Sequence, residues 1–116
     1  MMQEILEKLN HVRGVGGCLV LSPDGLPMAS ALRQGVDESQ LAAALSGLVE
    51  GSGRITQHFE LGKTKVVQTT SAAGGVLLLS AGPSFLAIIM DPAANLALLQ
   101  LEARPFAERI AQRLTL

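Results

Sequence analysis

Tryptophan and tyrosine are absent from this chain, and three phenylalanines are its only large rings. Proteins that grip single-stranded nucleic acid stack bases on such rings, so that ligand class is disfavoured from the start. Charge argues the same way for duplexes: nine Lys and Arg against ten Asp and Glu leave a net charge of −1, where phosphate binding needs a basic surplus. Nucleic acid is not an expected partner. Cysteine is scarce too. Cys18 stands alone, cannot form an internal disulfide, and lies in an apolar run where a small buried hydrophobe is expected. Long hydrophobic runs are also missing. Val76–Leu79 and Phe85–Met90 are far too short to span a bilayer. Glu4 and Glu7 fall where a signal peptide needs a basic and then an apolar segment, so a cytoplasmic protein without membrane insertion is expected.

Groups that could converge on a reaction are few. His11 and His58 are the two histidines, and neither has a partner at a metal-ligand spacing such as His-x-x-x-His or Cys-x-x-Cys. No serine sits in a Gly-x-Ser-x-Gly elbow. Glu4, Glu7, Glu38, Glu50, Glu102 and Glu108 fall on expected helix surfaces, where solvation accounts for them. The cluster Gly14-Val15-Gly16-Gly17 precedes a strand instead of leading from one into a helix, so it lacks the helix N-terminus that cradles phosphate. Neither it nor Gly74-Gly75 is followed by Gly-Lys-Ser/Thr, and both read as turn chemistry, as does Asp24 between Pro23 and Gly25. The expectation is a non-enzymatic protein with no catalytic, cofactor-binding or metal-ligating residues.

What the chain does have is apolar surface. Hydrophobic residues make up 48% and charged residues 16% of 116 positions, with a mean hydropathy of +0.37. That length fits one domain over 1–116. The hydropathy is high for a small monomer and implies that a partner covers part of the surface. Ile5, Leu6, Leu9 and Val12 recur at helical spacing within Gln3–Val12, with Gly14 as a C-terminal cap and Gly16 and Gly17 ending the connection. Cys18–Ser22 is a strand apolar on both faces, and Ser22-Pro23-Asp24-Gly25 is a tight turn into a second strand, Leu26–Leu32. Pro27 cannot donate to a ladder and points to a sheet edge. After the central helix come Lys63–Ser71, a strand polar for much of its length, a turn at Ala72–Gly75, and two apolar strands, Val76–Ser80 and Phe85–Met90. A last helix runs to about Leu114, its face of Leu96, Leu99, Ala103, Phe106, Ala107, Ile110 and Leu114 continuing across Pro105. The architecture expected is α+β, α-β-β-α-β-β-β-α: a five-stranded antiparallel sheet between one long helix and the two terminal helices.

The central helix, within Val36–Leu61, is the most informative stretch. Asp37 is its expected N-cap and Gly62 its end. Leu41, Leu45, Leu48, Ser52, Ile55 and Phe59 form an apolar stripe expected to face the core. A second stripe of Gln40, Ala43, Ala44, Gly47, Gly51, Arg54 and His58 is small in its middle and polar at its ends. Glycine inside a helix costs about 1 kcal/mol against alanine, so Gly47, Gly51 and Gly53 imply a use. Close approach of the same helix from a second copy is the best candidate. The third strand, with Lys65, Val67 and Thr69, would lie at an edge open to strand pairing, completing a two-fold contact.

The run Gly14-Val15-Gly16-Gly17-Cys18-Leu19-Val20-Leu21-Ser22-Pro23-Asp24-Gly25 resembles the opening of roadblock/LC7 domains, the dynein light-chain and bacterial gliding-regulator family. Asp91-Pro92-Ala93-Ala94-Asn95-Leu96 followed by Leu98-Leu99 resembles the start of that family's last helix. The resemblance implies dimerisation through the long helices and third strands, and binding of a Ras-like small GTPase on the surface the paired helices make. It places Ala43, Ala44, Gly47, Gly51, Arg54, His58 and the third strand in the dimer contact, and assigns Ala42, Ser46, Glu50, Gly53 and Gln57 to the GTPase side. No arginine finger is implied. Regulation, with accelerated hydrolysis as one outcome, would come from biasing the partner's switch loops while the partner keeps the catalytic groups. A structural adaptor of a sensor-kinase or motor complex, without effect on nucleotide turnover, is the competing reading. A small-molecule-binding domain has less support, because no apolar pocket with convergent polar groups is evident.

Overall fold

A strand with apolar side chains at almost every position needs cover above and below. The computed structural model, which describes residues 2–114, supplies that cover to three such strands; positions 1, 115 and 116 of the expected domain lie outside the described residues. Eight elements follow in the expected order: α1 (Met2–Leu9), β1 (Val15–Leu21), β2 (Pro27–Ala31), α2 (Glu38–His58), β3 (Val66–Ser71), β4 (Gly74–Ala81), β5 (Ser84–Met90) and α3 (Leu96–Leu114). The strands form one antiparallel sheet in the order β2-β1-β5-β4-β3. The doubly apolar strands are interior, and the two mixed ones are the edges.

Alternation along each interior strand sends side chains to two cores. On one face α1 and α3 bury Leu6, Leu9, Leu99 and Ile110 against Cys18, Val20, Leu77, Leu86 and Ile88. On the other, α2 places Ala42 and Leu45 against Leu19, Leu21, Leu78 and Ala87. Each fully buried leucine or isoleucine contributes about 1.5–3 kcal/mol relative to exposure. Helix α3 continues through Pro105 as a single element, and that proline lies on its exposed side.

Several boundaries differ from expectation, each for a local reason. β1 begins at Val15 instead of Cys18, because Gly16 and Gly17 are strand residues at a bulge opposite Ile89 and Met90. A Cβ on Gly16 would come within 2.8 Å of Asp91 Oδ1, so the glycine there makes room for the Arg33–Asp91 ion pair (2.9 Å) that ties the end of β2 to the end of β5. Helix α1 stops at Leu9, and the amides of His11 and Val12 close a tighter turn onto Lys8 and Leu9. β4 takes in Gly74 and Gly75, leaving a two-residue hairpin at Ala72–Ala73 where a longer turn was expected. β3 starts at Val66, and Lys63 and Lys65 lie before it, although the Lys65 carbonyl still accepts from the Ser80 amide at 2.8 Å.

The end of α2 also departs from the sequence reading. Its cap is Phe59, followed by Glu60 at φ 55°, with Leu61 N donating to Thr56 O (2.7 Å) and Glu60 N to Gln57 O (3.2 Å). This double bond pattern normally has glycine at the left-handed position, and Glu60 occupies it instead of the expected Gly62. A non-glycine residue there costs about 1–2 kcal/mol. Glu60→Gly is therefore expected to raise unfolding free energy by about 1 kcal/mol in a urea titration, and a lower midpoint would contradict the assignment.

Cys18 is fully buried, its Sγ donating to Leu6 O at 3.4 Å and to Asn10 Oδ1 at 3.3 Å. Burial pushes its thiol from 9.0 up to about 12. Above pH 9 the unfolded chain releases this proton while the folded chain keeps it, so the contribution is whole below pH 9 and is lost as pH rises towards about 12. Urea midpoints taken at about pH 8 and about pH 10 should fall further for the wild type than for Cys18→Ala; equal falls would show that the thiol is not the group responsible.

Candidate functional site

Helix α2 is anchored at both ends and half-covered between them. Asp37 Oδ1 accepts the Gln40 amide at 3.1 Å, capping its start, and Glu38 accepts a hydrogen bond from the Ser30 hydroxyl of β2. Near its end, Thr56 Oγ1 bonds Gly53 O at 3.1 Å and reaches Thr64 Oγ1 at 3.2 Å, holding the helix to the segment before β3. Between these anchors Ala42 and Leu45 are its only fully buried residues, in a helix of 21. Leu41, Leu48 and Val49 are partly buried behind them.

The phase of the helix about its axis corrects the wheel reading. Ile55 and Phe59, expected in the core, are 58% and 66% exposed. Ala42, expected on the GTPase side, is 2% exposed and lies on the sheet. Ser46 faces the β1–β2 turn so closely that a Cβ on Gly25 would overlap its hydroxyl, and Gly25 has φ +84°. Gly53 and Gln57 border Lys63, Thr64 and Phe85, while Glu50 and Gln57 are exposed. The physical reason is that α2 lies closest to β1 and β2. Small residues, Ala42 and Ser46, let it settle there, and Ile55 and Phe59 fall on the side turned away from that contact.

Rotated this way, α2 presents an open groove of about 930 Å³ along its C-terminal half, lined by Gly47, Leu48, Gly51, Ser52, Ile55 and Phe59 with Arg54, Gln57 and His58. Gly47, Gly51, Arg54 and His58 of the expected dimer stripe are brought together here. Gln40, Ala43 and Ala44 are exposed on the N-terminal half, outside it. The His58 ring meets Phe59 edge-on, 5.0 Å between centroids. Sequence reasoning missed the groove's large members because the apolar stripe containing Ile55 and Phe59 was assigned inward.

The two sheet edges are unequal. Gln3 Nε2 donates to Ser30 O at 2.9 Å and Asn10 Nδ2 to Ala31 O at 3.0 Å, so side chains of α1 and its following turn occupy carbonyls of β2, whose first residue is Pro27. No side-chain hydrogen bond blocks β3 in this way among the described residues. Val67 and Thr69 are half-buried on the α2 side of the sheet, Val67 within its core, and Lys65 is exposed before the strand. Among the described residues no three His, Cys, Asp or Glu side chains could hold a metal ion together, and no helix is long and apolar enough to cross a membrane.

The sequence model of the Roadblock/LC7 domain matches residues 1–90, over three quarters of the chain. The chain belongs to the Roadblock/LC7 domain family. An uncharacterized protein of Methanocaldococcus jannaschii, MJ1340, is 28% identical over 110 residues, covering 95% of this chain and 96% of its own. MglB of Myxococcus xanthus superposes with a TM-score of 0.89 at 17% identity, covering 97% of this chain and 93% of that one. A Roadblock/LC7 domain from Streptomyces avermitilis also gives 0.89, at 20% identity and 98% of each chain. The three-helix, five-strand α+β architecture of this chain is thus the Roadblock/LC7 fold.

The rotated helix makes a contrast between two glycines measurable. A Cβ at Gly53 meets nothing within 4 Å, so Gly53→Ala should add about 1 kcal/mol of stability through helix propensity alone. Gly25→Ala should destabilise, from its overlap with Ser46 and its left-handed backbone. Thermal unfolding of both variants checks this, and a less stable Gly53→Ala would mean that α2 seats differently.

Proposed function

We propose that this Roadblock/LC7 domain is a non-enzymatic homodimer that binds and regulates a Ras-like small GTPase. The observation that carries the proposal is the cover missing from α2. Gly47 and Gly51 cost about 1 kcal/mol each in a helix, and no group within the protomer needs the space. Beside them stand Ile55 and Phe59, more than half exposed. Helix pairing across this groove with strand pairing at β3 would cover both and give the two-fold contact. Two relatives of the same fold support it: MglB is described in a tetrameric arrangement, and the Thermus thermophilus MglB as a gliding protein.

The GTPase side follows from what stays outside that contact. Glu50 of the expected partner face remains on the surface outside the groove and carries this part of the proposal, whereas Gln57 borders the groove itself. Ala42 is withdrawn from it by burial. The module acts by favouring one arrangement of the partner's switch loops, the catalytic groups staying with the partner.

Affinity capture from source-cell lysate, with a GTP analogue or GDP added in parallel, tests the reading. A Ras-like GTPase enriched with the analogue alone is expected, and hydrolysis assays then give the direction of the effect. Equal recovery in both states, or no GTPase, would instead mark a structural adaptor.

A further inference from the structure

Leu98 and Leu101 of α3 are 49% and 62% exposed, on the face of the sheet opposite to α2. With Pro105 they form an apolar ridge along the outward side of the helix, opposite its buried side. The sheet lies between this ridge and α2, so a partner on α2 leaves it uncovered. Charged side chains border the ridge in a particular order. At 3.6 residues per turn, Glu102 and Arg109 fall on one flank, and Arg104 and Glu108 on the other. All four are exposed, and among the described residues none of them is in an ion pair. Arg109 instead lies 5.9 Å over the Phe106 ring. Arg104 precedes Glu108 by four residues, the weaker order for a pair within one helix.

We infer that this ridge is a self-association face of its own, occupied by α3 of another copy lying antiparallel and centred at Pro105–Phe106. The midpoint of Glu102 and Arg109 falls between those two residues, and the midpoint of Arg104 and Glu108 falls on Phe106. A two-fold axis crossing the helices there sets each flank against the same flank of the other copy. Each Glu102 then meets the other copy's Arg109, and each Arg104 meets the other's Glu108. Every facing pair has opposite signs. A parallel arrangement sets each charge against its own kind. Sliding the antiparallel copies until Leu101 meets Leu101 brings the two Glu102 carboxylates together at the axis. An unrelated protein needs no such symmetry, so the coincident midpoints select a second copy. Leu98 and Leu101 pack on the aliphatic stems of the other copy's Glu108, Arg109 and Gln112, whose polar ends stay at the rim. Exposed ion pairs contribute little by themselves, so covering the leucines supplies the affinity and the charges set direction and register. This contact is independent of the homodimer proposed above. Where both form, pairs of copies join into larger assemblies.

Sedimentation velocity of the full chain over a concentration series tests the inference, with circular dichroism confirming that each variant is folded. Glu102→Arg and Arg109→Glu each set like charges together at both ends of the contact. Each should raise its dissociation constant by about tenfold or more. Both positions are exposed, so the fold tolerates the exchange. An equimolar mixture of the two variants should associate as the wild type does, because each arginine of one then faces a glutamate of the other. A dimer through α2 is untouched by either change: where it forms, the responding step starts from dimers, and where it does not, from monomers. The two contacts are therefore read separately. A wild type that gains no mass beyond what both variants retain overturns the inference. So does association indifferent to Arg109→Glu, or a mixture no stronger than its separate components.

Discussion

Three central strands with no polar face impose the constraint on which this structure depends. β1, β5 and β4 must be covered on both sides, and the chain has two helices for one side and one for the other. α1 and α3 together seal their face with a deep core. α2 alone cannot do as much. It settles near β1 and β2 through Ala42 and Leu45, and its C-terminal half carries Ile55 and Phe59 into solvent. The high apolar content of the chain and its uncovered groove are therefore one fact seen at two levels.

The same inequality runs through the sheet edges. Unpaired strand edges invite association, and this fold occupies one of them with its own side chains. Gln3 and Asn10 bond β2 carbonyls, and Pro27 removes a donor at its start. β3 has no such occupation among the described residues, and it follows the anchored end of α2. A partner strand at β3 and a partner helix on the groove would thus arrive from one side of the molecule. The homodimer proposed above would use this one side.

Much of the architecture was legible in the residues because its signals are local and strong. Apolar alternation ranked the strands as interior or edge, and Ser22-Pro23-Asp24-Gly25 marked a turn that the Gly25 amide closes onto Ser22 at 2.9 Å. The phase of α2 was not legible. Leu41, Leu45, Leu48, Ile55 and Phe59 make a coherent stripe, yet Ala42, Leu45, Val49 and Thr56 make another that shares Leu45. With alanine, glycine and serine between them, the wheel has little contrast, and the nearness of β1 and β2 decides. Gly16 and Gly17 hid the start of β1 because strand glycines needed for close approach look like loop glycines. Glu60 had no signal at all: Gly62, two residues on, was the better cap by chemistry, and the hydrogen bonds to Thr56 and Gln57 close the helix earlier.

Amide hydrogen exchange across a range of protein concentrations tests most directly whether a second copy covers α2 and β3. The account predicts that protection of β3 (Val66–Ser71) and of α2 from Gly47 to His58 rises with concentration, while β2 stays unchanged. Protection independent of concentration throughout, or a rise confined to β2, would contradict it.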